Sequence, residues 1–369
     1  MVSGVSVCIV FMVVFGFGGK RFTDVIVHST SPQGNPLCGT SLRINPSSEV
    51  KSRIPGAWQR TTETVRGLLV ELANFTFPSM RAKLPWLILL SLLCKADFCR
   101  AQDSSGKPAI FVCGDSTAKN SGRGKNGEPV AGWGTPLAKF FDPEKVVIKN
   151  VGHAGRSSRT YYDGDWPNIL PRINKGDFVL LVFGINDGST PPGLGDETVT
   201  RNGQPMHTYG WYMAKMATDA KAKGAQVYLL TVTTRNIWNN PKVKFNAATP
   251  AGPLPDDYDA GEDRIERGTG GGRFTQWTKE LGEKLHLPVF DLTNFCADKY
   301  EALGREEVNK FYSDHNHTYL PGAEFIAASI VSGLKAFNRS PFIPLLSPEG
   351  KNVTAAPAKY VSDNPGSTK

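Results

Sequence analysis

Short apolar runs that alternate with segments of helical spacing constrain the fold of this 369-residue chain more than any other feature. The run at 178–183 is apolar throughout, which is typical of a strand buried on both faces. Five strands alternating with helices over about 235 residues predict a single three-layer α/β/α domain with a parallel sheet of about five strands, at 103–340. The predicted strands are 109–113, 146–148, 178–183, 227–232 and 289–292, and the predicted helices are 133–141, 166–173, 209–223, 273–285 and 322–337.

Two long irregular segments, 187–206 and 236–272, interrupt this alternation and are rich in Gly, Pro, Asp and Asn. Both follow predicted strands, so we expect them at the sheet edge where open α/β folds bind ligands. Loops of this length in a compact domain are usually functional or disordered. Residues 341–369 contain Pro, Ser and Lys, and we predict that they form a weakly ordered tail.

The segment 80–101 has the three parts of a secretory signal peptide. A basic start with Arg81 and Lys83 precedes an apolar stretch at 84–94, and small residues then precede a cleavage site near Gln102. The apolar stretch is too short to span a bilayer as a stable anchor. We therefore expect a protein that is secreted or periplasmic, without stable membrane association after signal cleavage.

A signal peptide belongs at a start codon, so we expect translation to start at Met80. Residues 1–79 are then interpreted as an upstream extension that is non-native or disordered. Pro, Ser and Thr are scattered through it, and neither a strand nor a helix period is sustained. The alternative takes the apolar residues 5–17 as the signal or an anchor. Against it, Lys20 and Arg21 follow that stretch, whereas a signal peptide has its positive charge before the apolar part.

The net charge of +8 comes mostly from the presumed extension and signal. Residues 1–102 contain 11 Lys and Arg against 5 Asp and Glu, whereas residues 103–369 contain 31 against 29. A nucleic-acid partner requires a basic patch on the folded domain. The near-neutral charge balance of the mature part, without a long Lys/Arg run, argues against nucleic-acid binding. Separately, we expect the protein to be a monomer.

A serine at the end of the first predicted strand is the candidate nucleophile. Ser116 lies in Gly114-Asp115-Ser116-Thr117, directly after the apolar run 109–113, so its hydroxyl is predicted at the carboxyl edge of the sheet. Gly-Asp-Ser alone is most often an ordinary turn. Nucleophilic catalysis also requires a base, a group that orients the base, and donors for the developing oxyanion.

The base is sought among the histidines of the mature chain. His286 lies between two leucines and is interpreted as structural, which leaves His153, His207, His315 and His317. Asp314 precedes His317 by three positions, so a helical turn would place both side chains on one face. A carboxylate in that position can accept the imidazole N–H and hold the useful tautomer. This spacing favours His317 as the base, and a polar surface loop is the structural alternative.

Four sequence blocks, in this order, resemble those of the SGNH (GDSL-type) hydrolases, with closer similarity to the rhamnogalacturonan acetylesterases. The resemblance covers about residues 109–337, and it implies the flavodoxin-like fold of that superfamily. Further sequence motifs that support the resemblance are the segments 154–160, 207–212 and 235–238. The four blocks are Gly114–Thr117, Gly155–Arg159, Gly184–Asp187 and Asp314–His317.

The resemblance implies roles for individual residues. Ser116 would be the nucleophile, His317 the base and Asp314 its orienting group. The backbone N–H groups of Ser116 and Gly155 and the side-chain amide of Asn186 would form the oxyanion hole. The implied activity is that of a secreted serine esterase, which removes acetyl groups from a polysaccharide such as acetylated pectin through an acyl-enzyme intermediate.

The substrate is less constrained than the chemistry. Arg156 and Arg159 are candidates for binding galacturonate carboxylates, with structural ion pairs as the alternative, and Trp211 and Trp238 are candidates for stacking on sugars. The alternatives to a carbohydrate acetylesterase are a lipase or thioesterase and a non-catalytic glycan-binding module. The chain departs from the resembled family at Ile185, where a His is usual. It also departs at His153, an additional histidine in a turn where the family commonly has Asn or Asp.

Cysteine and histidine spacing indicates no metal site, so we expect neither a metal nor another cofactor. Only Cys113 and Cys296 lie in the predicted domain. Two small buried side chains at strand ends are the simple interpretation, and a single disulfide is the alternative for an exported protein.

Overall fold

The computed structural model describes residues 106–201 and 203–363, and the backbone of three strands nearer the N-terminus. The chain divides into two units, Met1–Asp97 and Phe98–Lys369. In the first unit an antiparallel sheet joins Val7–Val14 (β1), Phe22–Ser29 (β2) and Thr40–Ile44 (β3) in that order. The predicted signal peptide at 80–101 lies outside the described residues, and the start at Met80 stays a prediction.

The second unit contains the other strands and the helices that the structure describes. Its strands are Ala109–Gly114 (β4), Val147–Asn150 (β5), Phe178–Val182 (β6), Thr198–Arg201 (β7), Gln204–His207 (β8), Gln226–Leu230 (β9), Trp238–Asn239 (β10), Phe245–Asn246 (β11), Thr249–Pro250 (β12), Arg264–Ile265 (β13), Val289–Phe290 (β14) and Val361–Ser362 (β15). Its α-helices are Ser158–Gly164 (α1), Trp166–Ile169 (α2), Tyr209–Ala222 (α3), Arg273–Leu285 (α4), Leu292–Leu303 (α5), Arg305–Asn309 (α6), Leu320–Ala336 (α7) and Pro348–Asn352 (α8).

The main sheet has the order β5-β4-β6-β9-β14-β15. The five strands from β5 to β14 are parallel, as predicted, and β15 adds an antiparallel edge strand. The chain moves outward from β4 to β5, and then returns to the other side of β4 to place β6. The order of the strands therefore reverses between β4 and β6, which is where doubly wound folds bind their ligands.

Both faces of the sheet are covered, because successive side chains of a strand point to opposite faces. Ile110 and Val112 of β4 pack with α5 and α7, whereas Phe111 and Cys113 pack with α1 to α4. All six residues of β4 and all five of β6 are buried, which explains their uninterrupted apolar sequence. The predicted three-layer α/β/α domain is confirmed.

Two predicted elements differ in the structure. The helix predicted at 133–141 is only a 3₁₀ helix, Pro136–Phe140, with the proline in its first turn. The strand predicted at 289–292 ends after Phe290, because the side chain of Asp291 accepts a hydrogen bond from the N–H of Asn294 (3.2 Å) and caps α5. The sequence prediction missed four helices, α1, α5, α6 and α8.

The segment 341–363 is packed against the domain, which corrects the prediction of a weakly ordered tail. Phe342 is fully buried, and its ring centroid lies 4.8 Å from that of Phe178 and 4.9 Å from that of Tyr228. Strand β15 extends the main sheet, and the carbonyl of Tyr360 accepts the N–H of Asp291 at 2.7 Å. Residues 364–369 lie outside the described residues.

The two long irregular segments contain short antiparallel pairs. Strands β7 and β8 form a hairpin within the first, and β10–β13 and β11–β12 pair within the second. The second segment, residues 236–272, is called the insertion below.

Candidate active site

A tight turn holds Ser116 just beyond the end of β4. A Cβ atom added to Gly114 would lie 2.9 Å from Cγ1 of Val182 and 3.0 Å from Cβ of Ala118, so only glycine allows this approach to β6. Asp115 then closes the turn: its side chain accepts the N–H of Thr117 at 2.8 Å. The turn fixes the direction in which the Ser116 hydroxyl leaves the sheet.

The Ser116 hydroxyl, an imidazole and a carboxylate form a continuous line of hydrogen bonds. Oγ of Ser116 lies 2.9 Å from Nε2 of His317, and Nδ1 of His317 lies 2.8 Å from Oδ2 of Asp314. The His317 side chain is 31% exposed, so a ligand can reach it from solvent. In this geometry the imidazole can take the hydroxyl proton while the carboxylate keeps Nδ1 protonated.

The Asp314 carboxylate is held in its ionised form by the loop that carries it. Burial alone would raise its pKa, but hydrogen bonds from the His317 ring, the His317 N–H (2.8 Å) and the Asn316 N–H (2.7 Å) outweigh this and lower it. The three-residue spacing predicted from the sequence therefore gives two contacts between Asp314 and His317, one through the ring and one through the backbone.

The predicted oxyanion donors lie at the same sheet edge. The turn that carries Gly155 is joined to β4 by a hydrogen bond from the N–H of His153 to the carbonyl of Gly114 (2.9 Å). Gly155 has a φ of 78°, a left-handed conformation that favours glycine. Within residues 106–363 as described, the N–H groups of Ser116 and Gly155 have no protein acceptor, so both remain available to a ligand oxygen.

Asn186 has one amide N–H committed and one available. Its Nδ2 donates to the carbonyl of Arg156 at 3.0 Å, and an amide nitrogen carries two protons. This bond fixes the Asn186 side chain against the residue that follows Gly155. This bond thus holds the loop after β6 and the turn after β5 together.

A buried carboxylate makes the second connection between these loops. Asp187 is fully buried and accepts the Ser158 N–H (3.0 Å), the Ser158 hydroxyl and the Thr190 hydroxyl (2.9 Å). Burial raises its pKa, and the hydrogen bonds from Ser158 and Thr190 oppose the rise. Because Ser158 begins α1, this carboxylate sets the position of that helix and of the Gly155 turn before it.

The carboxylate of Asp165, at the end of α1, contacts the side chains on both sides of Gly155. Its Oδ1 lies 2.7 Å from Nδ1 of His153, and its Oδ2 lies 2.6 Å from Nε of Arg156. We call this arrangement the Asp165 clamp. It limits the movement of the Gly155 N–H, and through the Arg156 carbonyl it also supports Asn186.

The predicted substrate-binding arginines are engaged in ion pairs. Arg156 pairs with Asp165, and Nη1 of Arg159 lies 3.8 Å from a carboxylate oxygen of Asp163. Structural ion pairs, the alternative to carboxylate binding, therefore account for the contacts of both arginines.

The two predicted tryptophans differ in exposure. Trp238 is only 1% exposed and donates its Nε1–H to Asn236 at 2.8 Å, so the prediction that it stacks on a sugar is wrong. It holds the base of the insertion instead. Trp211 is partly exposed and stacks on the ring of His207 with centroids 3.8 Å apart, so its role in substrate binding stays a prediction.

Asp165 and the role of Asp187 were not predicted from the sequence. Asp187 lies directly after Asn186, and this proximity was a usable signal. No sequence pattern connects Asp165 with His153, because a loop and a helix separate them. Of the other histidines, His286 is an exposed residue at the end of α4, and His315 contributes its carbonyl to the N–H of Asn236 at 3.0 Å.

Cys113 and Cys296 are free and buried on opposite faces of the sheet, as the simple interpretation predicted. Cys113 lies near the end of β4, but Cys296 lies within α5 and not at a strand end, which corrects that part of the prediction. Burial raises the pKa of each thiol to about 12, so both are inert near neutral pH. Among the described side chains, no group of three or more His, Cys, Asp or Glu could hold a metal ion. In the same part of the chain, no helix has the length and apolar character required to cross a membrane.

A hydroxyl, an imidazole and a carboxylate in this order have the arrangement that serine hydrolases use. Residues 112–317 match the GDSL-like lipase/acylhydrolase family, and the chain belongs to that family. It is a carboxylic ester hydrolase, and the predicted resemblance to GDSL-type hydrolases is confirmed.

Similar proteins are found in fungi and bacteria. A rhamnogalacturonan acetylesterase of Emericella nidulans is 28% identical over 240 residues, which cover 61% of this chain and 84% of that protein. A rhamnogalacturonan acetylesterase of Bacillus subtilis is 24% identical over 259 residues, covering 66% and 96%. A solved structure of another Bacillus subtilis protein is 23% identical with a TM-score of 0.45, covering 62% of this chain and 56% of that one.

The buried carboxyl of Asp115 generates a prediction about stability and pH. Complete burial raises its pKa to about 6, and the nearby Asp187 contributes to the rise, while Thr117 and His317 oppose it. The unfolded chain releases this proton near pH 3.8 and the folded chain near pH 6. Wild type therefore loses stability as the pH rises through this window, whereas Asp115→Asn cannot ionise.

We expect the unfolding free energy of wild type, relative to Asp115→Asn, to fall between pH 4 and pH 7 by on the order of 3 kcal/mol. Denaturant unfolding at four pH values measures this difference. Asp256→Asn, at an exposed loop position, is the control and should give a flat difference. A flat difference for Asp115→Asn as well would contradict the prediction.

The Asp165 clamp generates a prediction about turnover. Asp165→Ala frees His153 and Arg156, which lie on either side of Gly155. We therefore expect kcat on p-nitrophenyl acetate to fall about tenfold, because small displacements of transition-state donors are costly. KM should change little, since the donors act on charge that develops during the reaction. Asp163→Ala, two residues earlier in α1, is the matched control. Equal effects of the two substitutions would show that the clamp has no role in turnover.

Proposed function

We propose that this protein is a secreted carbohydrate O-acetylesterase that acts on acetylated pectin, with rhamnogalacturonan as the preferred polysaccharide. The proposal is carried by one observation: Ser116, His317 and Asp314 form an intact line of hydrogen bonds in a chain similar to proteins named rhamnogalacturonan acetylesterases. Secretion is part of the proposal and is supported by the predicted signal peptide at 80–101.

The first half of the proposed reaction transfers the acetyl group to the enzyme. Oγ of Ser116 attacks the acetyl carbonyl carbon while Nε2 of His317 takes the hydroxyl proton. The tetrahedral oxyanion accepts hydrogen bonds from the N–H groups of Ser116 and Gly155 and from the free N–H of Asn186. His317 then gives its proton to the sugar oxygen, the ester bond breaks, and the polysaccharide leaves with a free hydroxyl group.

The second half returns the enzyme to its starting state. His317 takes a proton from water, and the resulting hydroxide attacks the acetyl carbon on Ser116. The same donors stabilise the second oxyanion. Collapse of this intermediate breaks the bond to Oγ, and His317 reprotonates the serine. Acetic acid leaves and releases its remaining proton to solvent, which gives acetate. Throughout both halves the Asp314 carboxylate holds the imidazole and balances its positive charge.

The choice of a carbohydrate over a lipid is supported by the surroundings of the site. A lipase-type pocket for a long acyl chain would be large and apolar. Here a cavity beside Asp314 is lined mainly by polar side chains, among them Asn236, Asn309 and Ser313. A non-catalytic glycan-binding module would have no need of a serine, a histidine and an aspartate at hydrogen-bonding distance.

Acetate release from acetylated polysaccharides tests the proposal. We expect release from acetylated rhamnogalacturonan to exceed release from acetylated xylan, and p-nitrophenyl acetate to be cleaved faster than p-nitrophenyl decanoate. Ser116→Ala is the control and should release no acetate above background. Preference for the decanoate ester would support a lipase instead, and glycan binding without hydrolysis of any ester would support a binding module.

A further inference from the structure

A cavity of about 270 Å³ lies against the face of the Asp314 loop and does not include Ser116 or His317 in its lining. It is open to solvent, and three chain segments line it: the loop that follows the Ser116 turn, the loop that carries Asp314, and a hairpin of the insertion. Cavities for drug-sized ligands are usually larger, from about 300 Å³ upward. The volume is therefore suited to one small polar group, such as a single sugar residue.

The first wall of the cavity is the loop that follows the Ser116 turn, and it packs tightly on the loop that carries Asp314. A Cβ atom added to Gly124 would lie 2.7 Å from Cβ of Ser313 and 2.6 Å from the ring of Tyr319, so the two loops are in close contact there. The next residue, Lys125, lines the cavity. The position of its backbone is thus set by the same loop that positions the catalytic carboxylate.

The second wall of the cavity is the hairpin of the insertion. Its tip has a strained backbone, and a buried arginine holds it in place. Ala247 and Ala248, between β11 and β12, have φ values of 47° and 69°, which are uncommon for residues other than glycine. Nη1 of Arg305 donates to the carbonyl of Ala248 at 3.1 Å, and its Nε lies 3.2 Å from Asp263. Strained backbone that the surrounding structure supports in this way is concentrated at functional sites.

The polar groups around the cavity offer donors and one unpaired positive charge. Oδ1 of Asn309 accepts from Asn236 at 3.1 Å, and the amide protons of Asn309 have no acceptor in the part of the chain that the structure describes. Lys125 is exposed and, among those same residues, has no carboxylate partner. In contrast, Arg156 and Arg159, which follow the turn that carries Gly155, are both paired with aspartates.

The negative charge of Asp314 does not exclude an anion from this cavity. Both of its oxygens accept hydrogen bonds, from the His317 ring, the His317 N–H and the Asn316 N–H. Its carboxylate is therefore already compensated on the side of the catalytic histidine. Two hydrogen bonds of 2.8 and 2.9 Å and one imidazole ring separate Asp314 from Oγ of Ser116, which is the scale of a single sugar unit.

We propose that this cavity is a subsite for a uronic acid residue next to the acetylated sugar, with Lys125 binding its carboxylate and Asn309 donating to its oxygens. The proposal rests on the proposed function, because it assumes a polysaccharide with its acetyl group at Ser116. It assigns to the insertion the role of forming one wall of the subsite. It also places the recognition of acidic sugars at Lys125 and not at Arg156 or Arg159.

A pair of matched substrates tests the subsite: an acetylated rhamnogalacturonan oligosaccharide, and the same oligosaccharide after reduction of its carboxylates to alcohols. For Lys125→Met we expect KM for the acidic substrate to rise about fivefold, as for the loss of one exposed ion pair. KM for the reduced substrate and the kinetics with p-nitrophenyl acetate should not change. Lys221→Met, an exposed lysine on α3, is the control of equal charge and should behave as wild type.

Steric closure provides a second variant that does not depend on charge. Thr249→Trp, at an exposed position of the cavity wall, should raise KM for both oligosaccharides and leave p-nitrophenyl acetate unaffected. An unchanged KM for the acidic substrate in Lys125→Met would overturn the proposal. An equal loss on all three substrates would overturn it as well, since this would indicate a general disturbance of the active site.

Failure of the proposed function has a different signature. In that case wild type would cleave p-nitrophenyl acetate but release no acetate from either oligosaccharide. Calorimetric binding of the deacetylated acidic oligosaccharide then still decides the subsite. Weaker binding by Lys125→Met than by wild type and Lys221→Met supports it, and equal binding by all three rejects it.

Discussion

The close approach of β4 and β6 at their carboxyl ends is the constraint on which the rest of the site depends. The order of the strands reverses between them, so the loops that follow diverge and leave a crevice at the sheet edge. Gly114 has no room for a side chain because Val182 lies against it. Ser116 and Asn186, which follow these two strands, therefore face the same crevice although 70 residues of sequence separate them.

Two carboxylates hold the crevice in shape. The buried Asp187 joins the loop after β6 to the start of α1, and the partly exposed Asp165 joins the end of α1 to His153 and Arg156. Such groups are costly to bury, and the raised pKa values of Asp115 and Asp187 express that cost. In return, the donors at the sheet edge are held in place before a substrate arrives, which is what stabilisation of a transition state requires.

The sequence predicted those parts of the molecule in which local pattern and burial agree. Strand β6 reads as a continuous apolar run because both of its faces are covered, and α4 was predicted with its observed limits. The three-residue spacing of Asp314 and His317 survives in the structure as a direct contact. Each of these features depends on residues that are close together in the chain.

The features that escaped prediction depend on contacts between distant residues. Strand β15 has only two residues, and it is defined by its pairing with β14 and not by any periodicity of its own. Trp238 lies in a polar, Gly-rich segment that suggested a sugar platform, but pairing of β10 with β13 buries it. The clamp at Asp165 likewise joins a helix end to a loop, and sequence spacing contains no record of such a contact.

Covalent labelling with an organophosphate tests the assignment of Ser116 as the nucleophile. Diethyl p-nitrophenyl phosphate should form a bond between phosphorus and Oγ of Ser116 with release of p-nitrophenolate, because the proposed role of His317 is to activate this hydroxyl. We expect one diethylphosphoryl group for each molecule inactivated, on the peptide that contains Ser116, and none in Ser116→Ala. Complete inactivation with the label on another residue, or full activity after Ser116 is labelled, would contradict it.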